Sequence, residues 1–471
     1  MESEQVLEPV SPTGHYLNSS VLSLCVLAVL ETELPVQDSN YATLVKDIFL
    51  PINPRFSSIM VADKNGKHWK KVEVNIKDHI RIPRFPEGKS LEFYDKYFED
   101  YLSEIALDQL PQSRPLWEIH IIKYPTSNAA GCFIFKLHHA LGDGYSLMGA
   151  LLSCLQRADD PSIPLTFPAK QSISKEEDMN GSVFKRMSAV LSLALNTVMD
   201  FVWSVMKSSF LEDGQTPIRS GDDNGLRFQP ITVTTLTFSL GRIKQIKSKL
   251  NVTVNDVIAG VIFLGTRLYM QTASPELGNA EATALVLLNT RAVGGYNYKH
   301  LKEMLKPNAE MPWGNHFAFL HVSIPKLTHF ESSNPLSFVM KAHQIIKKKR
   351  DSAAIYLTGK LLDILRKFRG AEATAGYIYK TVRNCSVVLT NVIGPTEQMA
   401  LASQPVKGLY VAIAGGPEGI ATTVVSYMDN LRVAICSKKG LVDPHRFKAC
   451  IEEAFDMILN ASNQYASSEI S

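Results

Sequence analysis

The sequence predicts an α/β protein built as two domains. Its 471 residues are too many for one ordinary core and suggest two units of roughly 200 residues each. Strand-like and helix-like segments alternate along most of the chain. Two polar tracts rich in Asp, Pro and Ser, Arg157 to Met179 and Glu212 to Asn224, interrupt that alternation. The first domain is therefore placed at residues 1–180, a linker at 181–230 and the second domain at 231–471.

Composition narrows the class. Apolar residues make up 45% and charged residues 20%, as in a globular protein. A net charge of +3, with no tract interleaving aromatics and base-reading arginines, argues against a nucleic-acid partner. The six cysteines are scattered without a Cys-x-x-Cys pair, so they are expected to be reduced thiols in a cytosol-facing protein, not a disulfide framework or a zinc site. Met1 to Pro9 is acidic and lacks the basic start of a signal peptide.

In the first domain, Val21 to Leu30 is too short to span a bilayer and is expected to be a buried strand. Ser39 to Phe49 has a helical pattern, and Ser58 to Asp63 and Trp69 to Val74 have strand patterns. Leu91 to Leu110 places Phe93, Tyr97, Tyr101 and Ile105 at helical spacing. Leu116 to Tyr124 and Gly131 to Leu137 follow as strands, then a helix from Tyr145 to Leu155. The second domain opens with a strand, Thr232 to Leu240, and a helix, Thr253 to Gln271. Leu285 to Leu288, Phe317 to Ile324 and Ser386 to Thr390 are strand-like, with a basic helix at Pro335 to Arg350. Gly419 to Ser437 has the pattern of a hairpin turning at Asp429-Asn430.

The linker contains an unusual helix, Phe184 to Phe210. Apolar residues occupy most of its circumference, while Ser188, Ser192, Asn196, Asp200, Ser204 and Ser208 recur every fourth position. On a 3.6-residue helix that spacing drifts by about 40° per turn, so the polar stripe winds round and no face stays wet. A central Asp200 would cost roughly 2.5–3.5 kcal/mol in a spanning helix, which favours a helix lying in a membrane interface. The alternative is a helix buried against its own protein.

The chemistry concentrates at His138-His139-Ala140-Leu141-Gly142-Asp143-Gly144, where a strand ends and an Asp-Gly turn leads into a helix. Histidine suits proton transfer near neutral pH, although a His-His pair can also serve packing or hydrogen bonding. The chain lacks a Gly-x-Ser-x-Gly elbow, a His-Glu-x-x-His helix and a phosphate loop, which leaves a lone general base acting on a substrate that brings its own nucleophile. Thr253 three residues before Asp256 is close to a capping box, the structural alternative for Asn255-Asp256. Lys347 to Arg350 has the pattern of a solvated helix end.

Four elements in order carry a resemblance: Pro115-Leu116-Trp117, His138 to Gly144, Asn255-Asp256 and Asn391-Val392-Ile393-Gly394-Pro395. On these the chain resembles plant-type members of the wax ester synthase/diacylglycerol acyltransferase family. That resemblance implies two chloramphenicol acetyltransferase-like α/β domains with mixed sheets and a tunnel at their interface. It implies His139 as the base that deprotonates an alcohol attacking an acyl-CoA thioester, with no acyl-enzyme, no metal and no cofactor; acyl-CoA is a substrate. His138 is then either a helper or a loop-shaping residue. Asp143 either orients the imidazole as a triad aspartate does or pairs with Arg291 at a strand end of the other domain. Asn255, Thr390 and Asn391 are candidates for oxyanion or substrate positioning, each oxyanion donor being worth on the order of 2.7–4 kcal/mol. Gly144, Trp117 and Asp256 are assigned structural support. The implied partners are long-chain acyl-CoA, a fatty alcohol or diacylglycerol, and a membrane surface, on the cytosolic face of the endoplasmic reticulum. A soluble acyltransferase for a small alcohol or amine, or a non-catalytic lipid-binding protein on the same scaffold, are the alternatives.

Overall fold

The computed structural model describes residues 8–37, 41–63, 66–163, 165, 183–221, 229–290, 313–329 and 334–468. Two mixed sheets organise it. The seven-stranded sheet runs β5 (Ile80–Arg81), β6 (Trp117–Ile122), β7 (Gly131–His138), β2 (Cys25–Thr32), β14 (Gln404–Ala414), β13 (Met399–Leu401) and β8 (Gln156–Arg157). Its pairings are antiparallel except β5 with β6. The six-stranded sheet runs β11 (Phe317–Ser323), β10 (Thr283–Asn289), β12 (Val387–Ile393), β15 (Ile420–Tyr427), β16 (Asn430–Lys438) and β9 (Ile231–Ser239). Here β12 is parallel to both β10 and β15, and the remaining pairings are antiparallel. A small sheet of β1 (Glu8–Pro9), β4 (Gly66–Lys71) and β3 (Ser58–Asp63) flanks the first.

The longer helices among the described residues include α1 (Pro12–Leu17), α2 (Leu91–Leu107), α3 (Gly144–Ser153), α4 (Val183–Ser209), α5 (Leu240–Leu250), α6 (Val254–Ala273), α7 (Leu336–Asp351), α8 (Ala354–Arg383) and α9 (Pro444–Ser468). The period-two alternation of each strand sorts its side chains between a domain core and the seam between the sheets. From β7, Phe133, Phe135 and Leu137 join the first core with Trp117 and α3, while Cys132 and Ile134 enter the seam. From β12, Val387 and Leu389 enter the second core, built on α6 and α9, while Val388 faces the seam. The seam thus packs Leu27, Val29 and Ala412 against Val233, Leu285 and Ala421. A largely buried ion pair, Arg432 to Glu31 at 2.9 Å, also crosses it. In α6, a Cβ at Gly260 would stand 2.7 Å from Val339 Cα and one at Gly265 2.8 Å from Ile451 Cα, so glycine lets α7 and α9 approach closely.

The sheets depart from the sequence division at one place. β13 and β14 fall within residues 231–471 yet belong to the seven-stranded sheet, where β14 pairs with β2 from Val406↔Thr32 to Ala414↔Cys25. A strand buried on both faces carries no alternation that names its distant partner.

In α4 the apolar face points outward. Asp200 meets Lys349 at 3.3 Å, Ser204 lies 3.2 Å from His321 Nδ1, Thr197 accepts from the Ala353 amide at 3.2 Å, and Lys207 pairs with buried Asp213 at 2.8 Å. Outside are Leu195, Val198, Met199 (71% exposed), Val202 and, just past the helix, Phe210 (75% exposed). The four-residue polar run does wind, from exposed Ser192 to buried Ser208. Its buried part is turned against the protein, chiefly against α8, and the apolar face is left uncovered. Among the described residues no single helix is long and apolar enough to cross a membrane.

Candidate active site

The His138–Gly144 loop is pinned at its start by three backbone bonds. His138 N donates to Leu116 O at 3.0 Å, His139 N to Leu24 O at 2.8 Å, and Leu141 N to His138 O at 3.0 Å. The Pro-Leu-Trp element is therefore a wall of the loop. Trp117 itself is fully buried, donating Nε1–H to Phe56 O at 2.8 Å and stacking on His79, so its place is in the core.

The two histidines have different environments. The Ala140 amide donates to His138 Nδ1 at 3.1 Å, so that nitrogen carries no proton and Nε2–H donates to Ser23 Oγ at 3.1 Å. Both ring nitrogens are thereby engaged. Burial, together with the neighbouring His139 and Lys136, pulls the His138 pKa down to about 3. His139 lies with Nδ1 2.9 Å from Asn315 Oδ1, and its ring meets Phe317 edge-on at 5.7 Å. It is only 6% exposed, and burial lowers its pKa below the ordinary value against the opposing pull of Asp143 and the Asn315 bond.

Asp143 is a structural clamp. One carboxylate oxygen caps α3 by accepting from Ser146 N at 3.0 Å; the other accepts from His316 N at 2.8 Å. The partner at His139 Nδ1 is Asn315, so Asp143 does not take the triad position there. Arg291, its expected ion-pair partner, lies outside the described residues. Gly144 opens α3, and Val392 of β12 lies 3.5 Å from where a Cβ on it would stand, which brings the Asn391–Pro395 element beside the loop.

Asn391 donates its amide to Asn255 Oδ1, joining the two asparagine elements at an exposed position. Thr390 is half-buried and, two residues from Val388, shares its seam-facing side. Asp256 closes a capping box with Thr253 and also meets His343 Nδ1 at 2.8 Å, so it holds the start of α6. A cavity at the seam is lined by Ser23, Cys25, Asp108, Gln229, Ala414 and Lys438; of these, Ser23 is the hydrogen-bond partner of His138.

The segment Trp313 to His316 carried no expectation from the sequence. Trp313 Nε1 donates to Leu141 O at 2.8 Å, Asp143 N donates to Gly314 O at 3.2 Å, and Ser146 Oγ donates to the same carbonyl at 3.0 Å. This piece of the second half closes over the loop from the first. Its signal was a Trp-Gly-Asn break directly before the strand at Phe317, with Gly314 at φ +130°.

Two family models match the chain: the wax ester synthase/diacylglycerol acyltransferase catalytic domain at residues 50–258 and the WS/DGAT C-terminal domain at 313–459. The chain belongs to this family. The wax ester synthase/diacylglycerol acyltransferases are acyltransferases, and the chain carries both their catalytic and their C-terminal domains. It is 28% identical to wax ester synthase/diacylglycerol acyltransferase 7 of Arabidopsis thaliana, covering 95% of this chain and 96% of that one. Its fold is similar to that of the wax ester synthase/diacylglycerol acyltransferase from Marinobacter aquaeolei VT8, with a TM-score of 0.59 at 16% identity, covering 96% of this chain and 99% of that chain. It is also similar to the first condensation domain of the calcium-dependent antibiotic synthetase, with a TM-score of 0.56 at 12% identity over 98% and 97% of the two chains.

Proposed function

We propose that the protein is a long-chain acyl-CoA:fatty alcohol O-acyltransferase that makes wax esters and also acylates diacylglycerol to triacylglycerol. The observation that carries the reading is the state of His139. Its Nδ1 is occupied by Asn315, burial keeps the ring unprotonated near neutral pH, and Nε2 is left as the basic atom. In this scheme Nε2 accepts the hydroxyl proton as the alcohol oxygen attacks the thioester carbonyl. The intermediate collapses with loss of the CoA thiolate, which takes up the same proton. The products are an ester and free CoA, and the sum balances without a cofactor. A positioned base of this kind contributes about 10²–10⁴-fold. Asn255, Asn391 and Thr390 supply donors to the developing oxyanion.

Both substrates are lipids, and the outward apolar face of α4 suits a protein resting on the cytosolic face of the endoplasmic reticulum membrane. Helix α8, packed against α4, also exposes Tyr356, Ile364 and Phe368, and its exposed Lys360, Lys367 and Arg369 favour an anionic surface. Microsomes from a host without neutral lipid, expressing the protein and given acyl-CoA with hexadecanol, diacylglycerol or a small alcohol, test the reading. Wax ester formed at a rate well above the small-alcohol product supports it. Acylation of the small alcohol alone overturns it.

A further inference from the structure

The buried amide of Asn315 makes two hydrogen bonds to one residue. Its Nδ2 donates to the His139 carbonyl at 2.9 Å, and its Oδ1 lies 2.9 Å from His139 Nδ1. A carbonyl only accepts, so the first bond fixes which end of the amide faces the ring. The ring atom opposite Oδ1 must then be the protonated one. A nearby carboxylate would select the same tautomer, but it would also favour the imidazolium and so weaken the supply of free base at neutral pH. A neutral amide selects the tautomer without adding charge. Asn315 is 8% exposed and sits between Gly314, bonded to Ser146, and His316, bonded to Asp143, so its backbone is held on both sides.

We propose that Asn315 is a positioning residue of the acyl transfer, which locks His139 in the tautomer that presents an unprotonated Nε2 to the alcohol. This inference rests on the base role of His139 given above. It also makes the reactive histidine a two-domain construction, because the ring comes from the first sheet and its orienting amide from the segment leading into the second.

The test uses the full-length protein in microsomes, with Asn315→Leu and Asn315→Asp beside His139→Ala. Asn315→Leu keeps the volume and removes both bonds. Its kcat should fall at least tenfold, toward the roughly 10⁴-fold loss that a wrong tautomer causes in a serine-protease triad, with KM for acyl-CoA within about twofold. Asn315→Asp puts a carboxylate against Nδ1 and should move the acid limb of the pH–rate profile up by about one pH unit or more. The charged and titratable groups of the loop and of the segments packed on it, Asp143, His138, His316 and Arg55, are the same in parent and variant. A residue with only a structural role would not move that limb. An Asn315→Leu kcat within threefold of the parent overturns the inference, as does an unmoved limb in Asn315→Asp. Should Asn315→Leu be recovered only as aggregate, the Asn315→Asp profile decides. Full activity of His139→Ala would defeat the underlying reading, whereas an inactive His139→Ala beside a fully active Asn315→Leu would defeat this inference alone.

Discussion

Replacing Asp143 by alanine should destabilise the fold as well as slow the reaction. The carboxylate is buried and its two oxygens serve different elements: one caps α3 at Ser146 N and the other receives His316 N from the far side of the seam. Loss of an N-cap costs about 1 kcal/mol, and loss of a hydrogen bond to a charged group about 1.5–3 kcal/mol. The sum, about 2.5–4 kcal/mol, is a large part of the roughly 5–15 kcal/mol that holds a typical domain together. At about 2–4 °C per kcal/mol for a domain of this size, Tm should fall by roughly 5–16 °C. Asp143→Asn keeps an acceptor for the cap and loses the charge, so it should fall between parent and alanine variant. The assay is a thermal melt of detergent-purified protein alongside microsomal ester synthesis. A soluble Asp143→Ala protein that melts within about 1 °C of the parent and has lost turnover would refute the clamp and restore the triad-like role.

Three further outcomes follow from the same geometry. Val202→Asp combined with Met199→Asp, both on the exposed face of α4, should leave the melt unchanged while moving protein from the carbonate-washed membrane pellet to the supernatant; an unchanged pellet fraction would remove α4 as the membrane contact. Asn255→Ala or Asn391→Ala should lower kcat by on the order of 10²–10³ if either amide aids the oxyanion, and a loss below threefold in both would exclude them. His138 should make the protein acid-sensitive: its folded pKa near 3 lies below the ordinary 6.5, so the unfolded chain takes up the proton first as pH falls. Stability is then insensitive to this group above pH 6.5 and declines as pH drops from there toward about 3. Thermal melts of parent and His138→Gln across that window check it, and equal slopes would contradict it.

Much of this was legible in the sequence because local periodicity dictated it. The strand Ser58–Asp63, the cap of α6 by Thr253 and Asp256, and the hairpin, which turns at Met428-Asp429, one residue before the expected Asp429-Asn430, all rest on neighbours a few residues apart. Helix α8 was not anticipated; Gly359, Gly370 and Gly376 interrupt its pattern, and Gly370 breaks it at φ 85°. The site divided in the same way. His138, His139 and Asp143 stood out as one string, whereas Asn315 could not be linked to them, because the bonds that make it important join residues 176 positions apart. The partner of His139 is a tertiary fact, set by the docking of one sheet's loop under the other's.

The most direct trial of the account is ester synthesis by His139→Ala and His139→Asn in protein whose melting matches the parent, with hexadecanol and a long-chain acyl-CoA supplied. In both variants kcat should fall by at least about 10²-fold while acyl-CoA still binds. Wax ester made at the parental rate by either variant would contradict it.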